Sequence, residues 1–169
     1  MIEIALIICV VIATVAVVLL KKDEPQNPMS FYESMKLVKL PVLTFKIGNE
    51  DINLLFDSGM MQSTIDSRVL ELLKLPHKKH EQTFDMFGIT GNVMSVPSVL
   101  MNLEYKGNIY EGHFMVQDLS GSMDAIKQEY GVRIHGALGT DFMHKYNYVV
   151  DFQKLMVYNK KSWKKQLFH

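Results

Sequence analysis

The sequence predicts a mainly β domain, a small barrel with short helices, preceded by an N-terminal transmembrane helix. Three observations carry this. From about residue 36 to 159, short β-branched and aromatic runs alternate with turn residues, and helical stretches are few. Residues 4–20 contain no charge, proline or glycine, just enough to cross a bilayer as a helix. The 169 residues allow one ordinary domain plus an appendage.

The N-terminal run begins beside Glu3 and ends in Leu19-Leu20-Lys21-Lys22. A cleaved leader would carry a basic start and a small-residue cleavage site, so an uncleaved anchor over residues 1–22 is expected. The lysine pair follows the span, which places the C-terminal domain on the cytoplasmic side of a single-pass membrane protein. Residues 23–35, with Pro25 and Pro28, read as a linker, and residues 36–159 as the folded domain. Residues 160–169 form a basic tail, Lys160-Lys161-Ser162-Trp163-Lys164-Lys165, solvated by default and able to touch anionic lipid beside an anchor. The formal net charge of zero gives no argument for a nucleic-acid partner. The single Cys9 lies in the apolar run, so neither a disulfide nor a cysteine metal site forms within one chain.

Within the domain, residues 36–47 alternate imperfectly and suggest a strand interrupted at Pro41. Gly48-Asn49-Glu50-Asp51 turns the chain, and Ile52 to Phe56 returns as a strand. Asp66 or Ser67 can cap a helix through Leu75, stopped by Pro76. Residues 83–87 and 93–103 read as strands joined across Gly88 to Gly91, and Lys106-Gly107-Asn108 turns into a strand over 109–116. A short helix follows Ser120-Gly121-Ser122 and ends at Gly131. A strand over 134–138, a helical turn over 141–145 and a last hairpin (146–152, 155–158) complete the domain.

The stretch Leu54-Leu55-Phe56-Asp57-Ser58-Gly59 organises this arrangement: an apolar strand runs into a carboxylate, a small hydroxyl residue and a glycine. Surface turns also use Asp-Ser-Gly, but here a β-branched segment, Ser63-Thr64-Ile65, follows. A glycine-framed hairpin tip comes later, Gly88-Ile89-Thr90-Gly91, and then a second apolar element framed by glycines, Gly136-Ala137-Leu138-Gly139. Together with Leu138 to Phe142 and Tyr148 to Phe152, these elements resemble, in order, the frame of a retropepsin-like aspartic protease. That family carries Asp-Thr/Ser-Gly on a wide loop beside an apolar-apolar-Gly element. The resemblance covers roughly residues 36–159 and implies a single-lobe acid-protease barrel. One departure is Met60, where the family commonly has a small residue.

The resemblance implies an aspartic endopeptidase with catalytic residues Asp57, Ser58 and Gly59, and Phe87, Gly88, Ile89, Thr90 and Gly91 closing over a peptide or protein substrate. Such chemistry needs two carboxylates sharing one proton, one acting as base on water while the other polarises the scissile carbonyl. The chain holds one Asp-Ser-Gly and no room for a second lobe, so activity would require a homodimer, with Asp57 of each copy at the two-fold axis. The alternative is an inactive, membrane-tethered peptide-binding or scaffolding module of the same fold, favoured by Met60. A weaker third reading makes the domain a tethered partner surface. No cofactor is implied. A metal site is not expected: His77 and His80 read as exposed loop residues, and His113, His135 and His144 are scattered. Asp141 reads as a helix-capping residue. Met60, Met61, Met86 and Met94 fall near the candidate cleft, where adaptable core packing is the default explanation.

Overall fold

The computed structural model describes residues 29–87 and 93–159. Strands β1 (Val42–Ile47) and β2 (Glu50–Phe56) form an antiparallel hairpin whose turn uses Gly48 at φ +63. The end of β2 runs parallel to β7 (Gly136–Leu138), with Leu54, Leu55 and Phe56 opposite Gly136, Ala137 and Leu138. On its other side β7 is antiparallel to β3 (Ser63–Asp66), which in turn lies parallel to β6 (Asn108–Gln117). The long β5 (Val93–Tyr105) pairs with β6, and β4 (Lys78–Phe87) pairs with β5. Lys46 of β1 meets Glu104 of β5, closing a barrel through β1, β2, β7, β3, β6 and β5. A barrel leaves fewer open edges, which suits a domain of short strands.

The barrel is filled from alternate strand positions. Phe45, Ile47, Ile52, Leu54, Ile65, Leu103, Phe114 and Leu138 are fully buried together. A smaller cluster joins Met29, Val38 and Val42 to Val132 and Ile134. Helices α1 (Phe31–Leu37), α2 (Ser67–Leu72), α3 (Ser120–Tyr130) and α4 (Thr140–Lys145) decorate it, and β8 (Tyr148–Asp151) with β9 (Met156–Asn159) makes a separate hairpin.

Several expectations are met, among them the β1–β2 hairpin, the last hairpin, and a helix closed by Gly131 at φ +74, although that helix already begins at Ser120, in the stretch expected as a loop. Asp66 caps α2, its carboxylate accepting from the Arg68 N–H at 2.9 Å. Others are corrected. The end of the stretch read as linker belongs to α1, opened by a reciprocal capping box between Ser30 and Glu33 and fastened by buried Phe31. The prolines nearby obscured that cap. Helix α2 ends at Leu72, before Pro76, because Lys74 already takes φ +47. Strand β4 starts at Lys78, five residues earlier than expected, so His80 is a strand residue and not a loop one. The anchor expected over residues 4–20 lies outside the described residues; among those, no helix is long and apolar enough to cross a membrane.

Candidate active site

Strands β2 and β3 are consecutive in sequence, yet β7 lies between them. The connection 57–62 must therefore arch over the end of β7, and this arch carries the Asp-Ser-Gly sequence. The Asp57 N–H donates to the Leu138 carbonyl at 3.0 Å, extending the β2–β7 ladder by one residue. Beyond it the chain turns: the Gly59 N–H donates to Asp57 Oδ1 at 2.8 Å, and the Met60 N–H to the Asp57 carbonyl at 3.2 Å. Asp57 is half-buried, and Ser58 and Gly59 are exposed. One carboxylate oxygen is thus held by a backbone donor at the rim of the barrel, where it can face a substrate or a second molecule. A Cβ added at Gly59 would sit 3.1 Å from Asp57 Oδ1, so glycine here keeps space around the acid.

The far side of the arch is fastened to helix α4. The Thr140 N–H donates to the Met60 carbonyl at 2.8 Å, and the Asp141 N–H to the Met61 carbonyl at 3.2 Å. Both amides belong to the first helical turn and have no partner within their own helix, so the arch satisfies them. The Thr140 hydroxyl adds a bond to the Met60 carbonyl at 3.2 Å. Beneath, the buried Ser63 hydroxyl donates to Asp141 Oδ1 at 2.8 Å and accepts from the Gly139 N–H at 3.0 Å. Close approach explains the glycines of the second framed element. A Cβ at Gly136 would lie 2.3 Å from the Thr64 carbonyl oxygen, and one at Gly139 2.8 Å from the Gln62 carbonyl carbon.

The structure thus joins Asp57, Ser58 and Gly59 to Gly136–Gly139 as one unit. Ser63, Thr140 and Asp141, which fasten that unit, were not expected in this role. Asp141 makes no side-chain cap; the α4 N-cap is Gly139, and the Asp141 carboxylate reaches across to Ser63 instead. Ser63 and Asp141 are 78 residues apart in sequence, and only the topology brings them together.

Of the expected lid, Phe87 ends β4 and pairs with Val93 across the hairpin, while Gly88, Ile89, Thr90 and Gly91 lie outside the described residues. The base of that hairpin is described. His80 and His113 rings lie 4.3 Å apart between centroids, Phe84 packs edge-on to His113 at 4.7 Å, and His113 Nε2 lies 3.0 Å from the Ser98 hydroxyl. Burial and the neighbouring His80 push the His113 pKa down, opposed by Asp141. His80, expected as an exposed loop residue, and His113, expected to stand apart, therefore form a packed pair; among the described residues no group of three or more His, Cys, Asp or Glu side chains is placed to hold a metal. A cleft of about 290 Å³ opens between this hairpin base and the arch, lined by Gln62, Phe84, His113, Asp141 and Lys145.

A second buried network supports the approach to β7. His135 Nδ1 accepts from the Asn53 N–H at 2.8 Å, and the Asn53 amide donates to the Arg133 carbonyl at 2.9 Å. The Thr44 hydroxyl donates to Asn53 Oδ1 at 2.7 Å. An Nδ1 that accepts must be unprotonated, and burial pulls the His135 pKa down to about 4.

This barrel, with its acid-bearing arch over a threaded strand, is a retropepsin-like fold. The retroviral protease-like domain of Ddi1 from Leishmania major superposes with a TM-score of 0.50 at 12% identity, covering 72% of this chain and 88% of that one. The EIAV protease complexed with the inhibitor HBY-793 gives a TM-score of 0.48 at 21% identity, covering 66% of this chain and 91% of that one. No protein-family model matches the sequence, and no curated protein matches it.

Proposed function

We propose that this chain is an aspartic endopeptidase that works as a homodimer, with Asp57 of each copy forming the catalytic pair. The observation that carries the reading is the position of Asp57. It is held by the Leu138 carbonyl and the Gly59 N–H on the arch, while Ser58 and Gly59 stand exposed beside it. A lone carboxylate so placed lacks the second acid that water activation requires, and a second copy supplies it. One of the two then accepts a proton from the attacking water while the other, protonated, polarises the peptide carbonyl, and the roles exchange as the intermediate collapses. Ser58 is suited to bonding across the axis, and the β4–β5 hairpin, which leads into the Phe87 to Gly91 segment read from the sequence as a lid, would close over a peptide bound as an extended strand. The N-terminal run anchors both copies in one membrane, raising their effective concentration, with the domain on the cytoplasmic side.

Digestion of a peptide library by the full chain and by Asp57→Asn tests this. The parent should cleave and the variant should not, with dimer mass and folding unchanged; equal cleavage by both contradicts the mechanism. The second reading, a peptide-binding module without the reaction, is favoured by Met60, half-buried where a small residue would open the site. Pepstatin-like transition-state mimics separate the two, because tight binding requires a working acid pair.

A further inference from the structure

The arch that carries Asp57 also leads to the cleft beside it. It leaves β2 at Asp57 and enters β3 at Ser63, with β7 between the two strands. Gln62 therefore stands two strand spacings from Asp57, about 10 Å. Ser63 lies opposite Phe114 in the parallel β3–β6 pair, so the preceding residues, Gln62 and His113, are neighbours too. Both line the cleft of about 290 Å³ between the arch and the base of the β4–β5 hairpin. An extended peptide advances about 3.3 Å per residue. One cleaved at Asp57 and following the arch beneath the hairpin thus brings the side chain three or four residues away to this cleft.

The lining combines an aromatic wall with charges that do not balance. Phe84 supplies the ring, packed edge-on to His113 at 4.7 Å. Lys145 and Glu111 pair with one another at 3.4 Å. Asp141, one turn before Lys145 on α4, forms no ion pair among the described residues. Its Oδ1 accepts from the Ser63 hydroxyl at 2.8 Å, and its Oδ2 has no hydrogen-bond partner among them. His113 does not supply the missing cation, because burial and then the neighbouring His80 lower its pKa against the pull of Asp141. The cleft is left with one carboxylate in excess, half-buried, where a charge is screened less than on an open surface.

We propose that this cleft selects a basic substrate side chain, arginine or lysine, three or four residues from the scissile bond. The inference deepens the peptidase reading above and rests on it for the path of the peptide. The alkyl stem packs on the aromatic wall, and the cationic head reaches the Asp141 carboxylate. An acidic side chain meets an unpaired like charge there, and an apolar one strips water from the carboxylate without replacing it. The two-fold axis of a homodimer repeats the cleft, so basic side chains are selected on both sides of the bond.

A synthetic peptide library digested by the full chain, with the products read by mass spectrometry, tests this. Arginine and lysine should be enriched three or four residues from the cleaved bonds. A peptide so found is then compared with its citrulline version, which keeps the shape of arginine and removes the charge. Arginine should be favoured about fivefold in kcat/KM, mainly through KM. Cleavage with no such enrichment, or equal rates for the two peptides, overturns the inference and leaves the peptidase reading standing. Cleavage of no peptide contradicts that reading, and capture of the same library on the Asp57→Asn chain then decides the cleft. Enrichment of arginine and lysine in the captured fraction supports it, and their absence overturns it. Asp141→Asn keeps an oxygen for the Ser63 hydroxyl and removes the charge, so its arginine-to-citrulline ratio should fall to about one, whatever its overall rate. An unchanged ratio overturns the role of Asp141. Where that variant does not fold, Glu111→Gln reads the same point, since it frees Lys145 to pair with Asp141 one turn away. Its ratio should fall about twofold, and an unchanged ratio overturns the charge selection.

Discussion

At Gly136 a single hydrogen in place of a methyl group lets β7 pass under the arch. The Cβ of an alanine there would meet the Thr64 carbonyl oxygen at 2.3 Å, against backbone that cannot rotate away. Gly136→Ala should therefore cost about 3 kcal/mol, at the upper end of ordinary overpacking, and urea denaturation of the variant measures it. Asp57 shows the other kind of constraint if the proposed mechanism holds, since there chemistry and not packing would dictate the residue. The placement of both residues on adjoining segments was legible in the sequence, because the glycine frame and the Asp-Ser-Gly run are local patterns. Ser63, Gly139 and Asp141 were not read as one unit, since their hydrogen bonds join segments more than 70 residues apart in sequence. Capping by Asp141 was the local expectation, and a tertiary partner, Ser63, took its carboxylate instead.

At the scale of elements, the arch is stable because helix α4 receives it. The first-turn amides of α4 bind the Met60 and Met61 carbonyls, and Ser63 ties β3 to the helix start from below. Ser63→Ala leaves the buried Gly139 N–H and the Asp141 carboxylate each without a partner, and should destabilise the domain by roughly 2 kcal/mol. Hydrogen exchange should show the loss concentrated at the Thr140 and Asp141 amides; uniform loss across the barrel would count against a local fastening role. Strands and hairpins were largely foreseen from alternation and turn residues. Helix α1 was not, because Pro25, Asn27 and Pro28 make the composition read as linker while the Ser30–Glu33 capping box and buried Phe31 decide the outcome. The pairing of His80 with His113 was also hidden, as β5 lies between their strands and sequence spacing says nothing about it.

For the whole molecule, acid stability and dimerisation are the properties most exposed to test. His135 has its pKa held at about 4 in the fold against 6.5 for the free group, because it is buried and its Nδ1 accepts from Asn53. The unfolded chain takes up that proton first as pH falls. The contribution is therefore complete above pH 6.5 and is lost progressively toward pH 4, amounting to about 2 kcal/mol between pH 7 and pH 5. His113, also depressed by burial, acts in the same direction. Urea unfolding at the two pH values measures this, and His135→Gln, though less stable, should flatten the dependence.

The central claim is that two copies of Asp57 make one active site, and subunit mixing tests it most directly. Parent and Asp57→Asn chains are exchanged at fixed total concentration and peptide cleavage is followed as the parent fraction falls. If each site needs both carboxylates, activity should follow the square of that fraction, leaving about a quarter at equal mixing. A linear fall, leaving about half, would mean that each copy acts alone, and a fall to only about three quarters would mean that one Asp57 per dimer suffices; either contradicts the account.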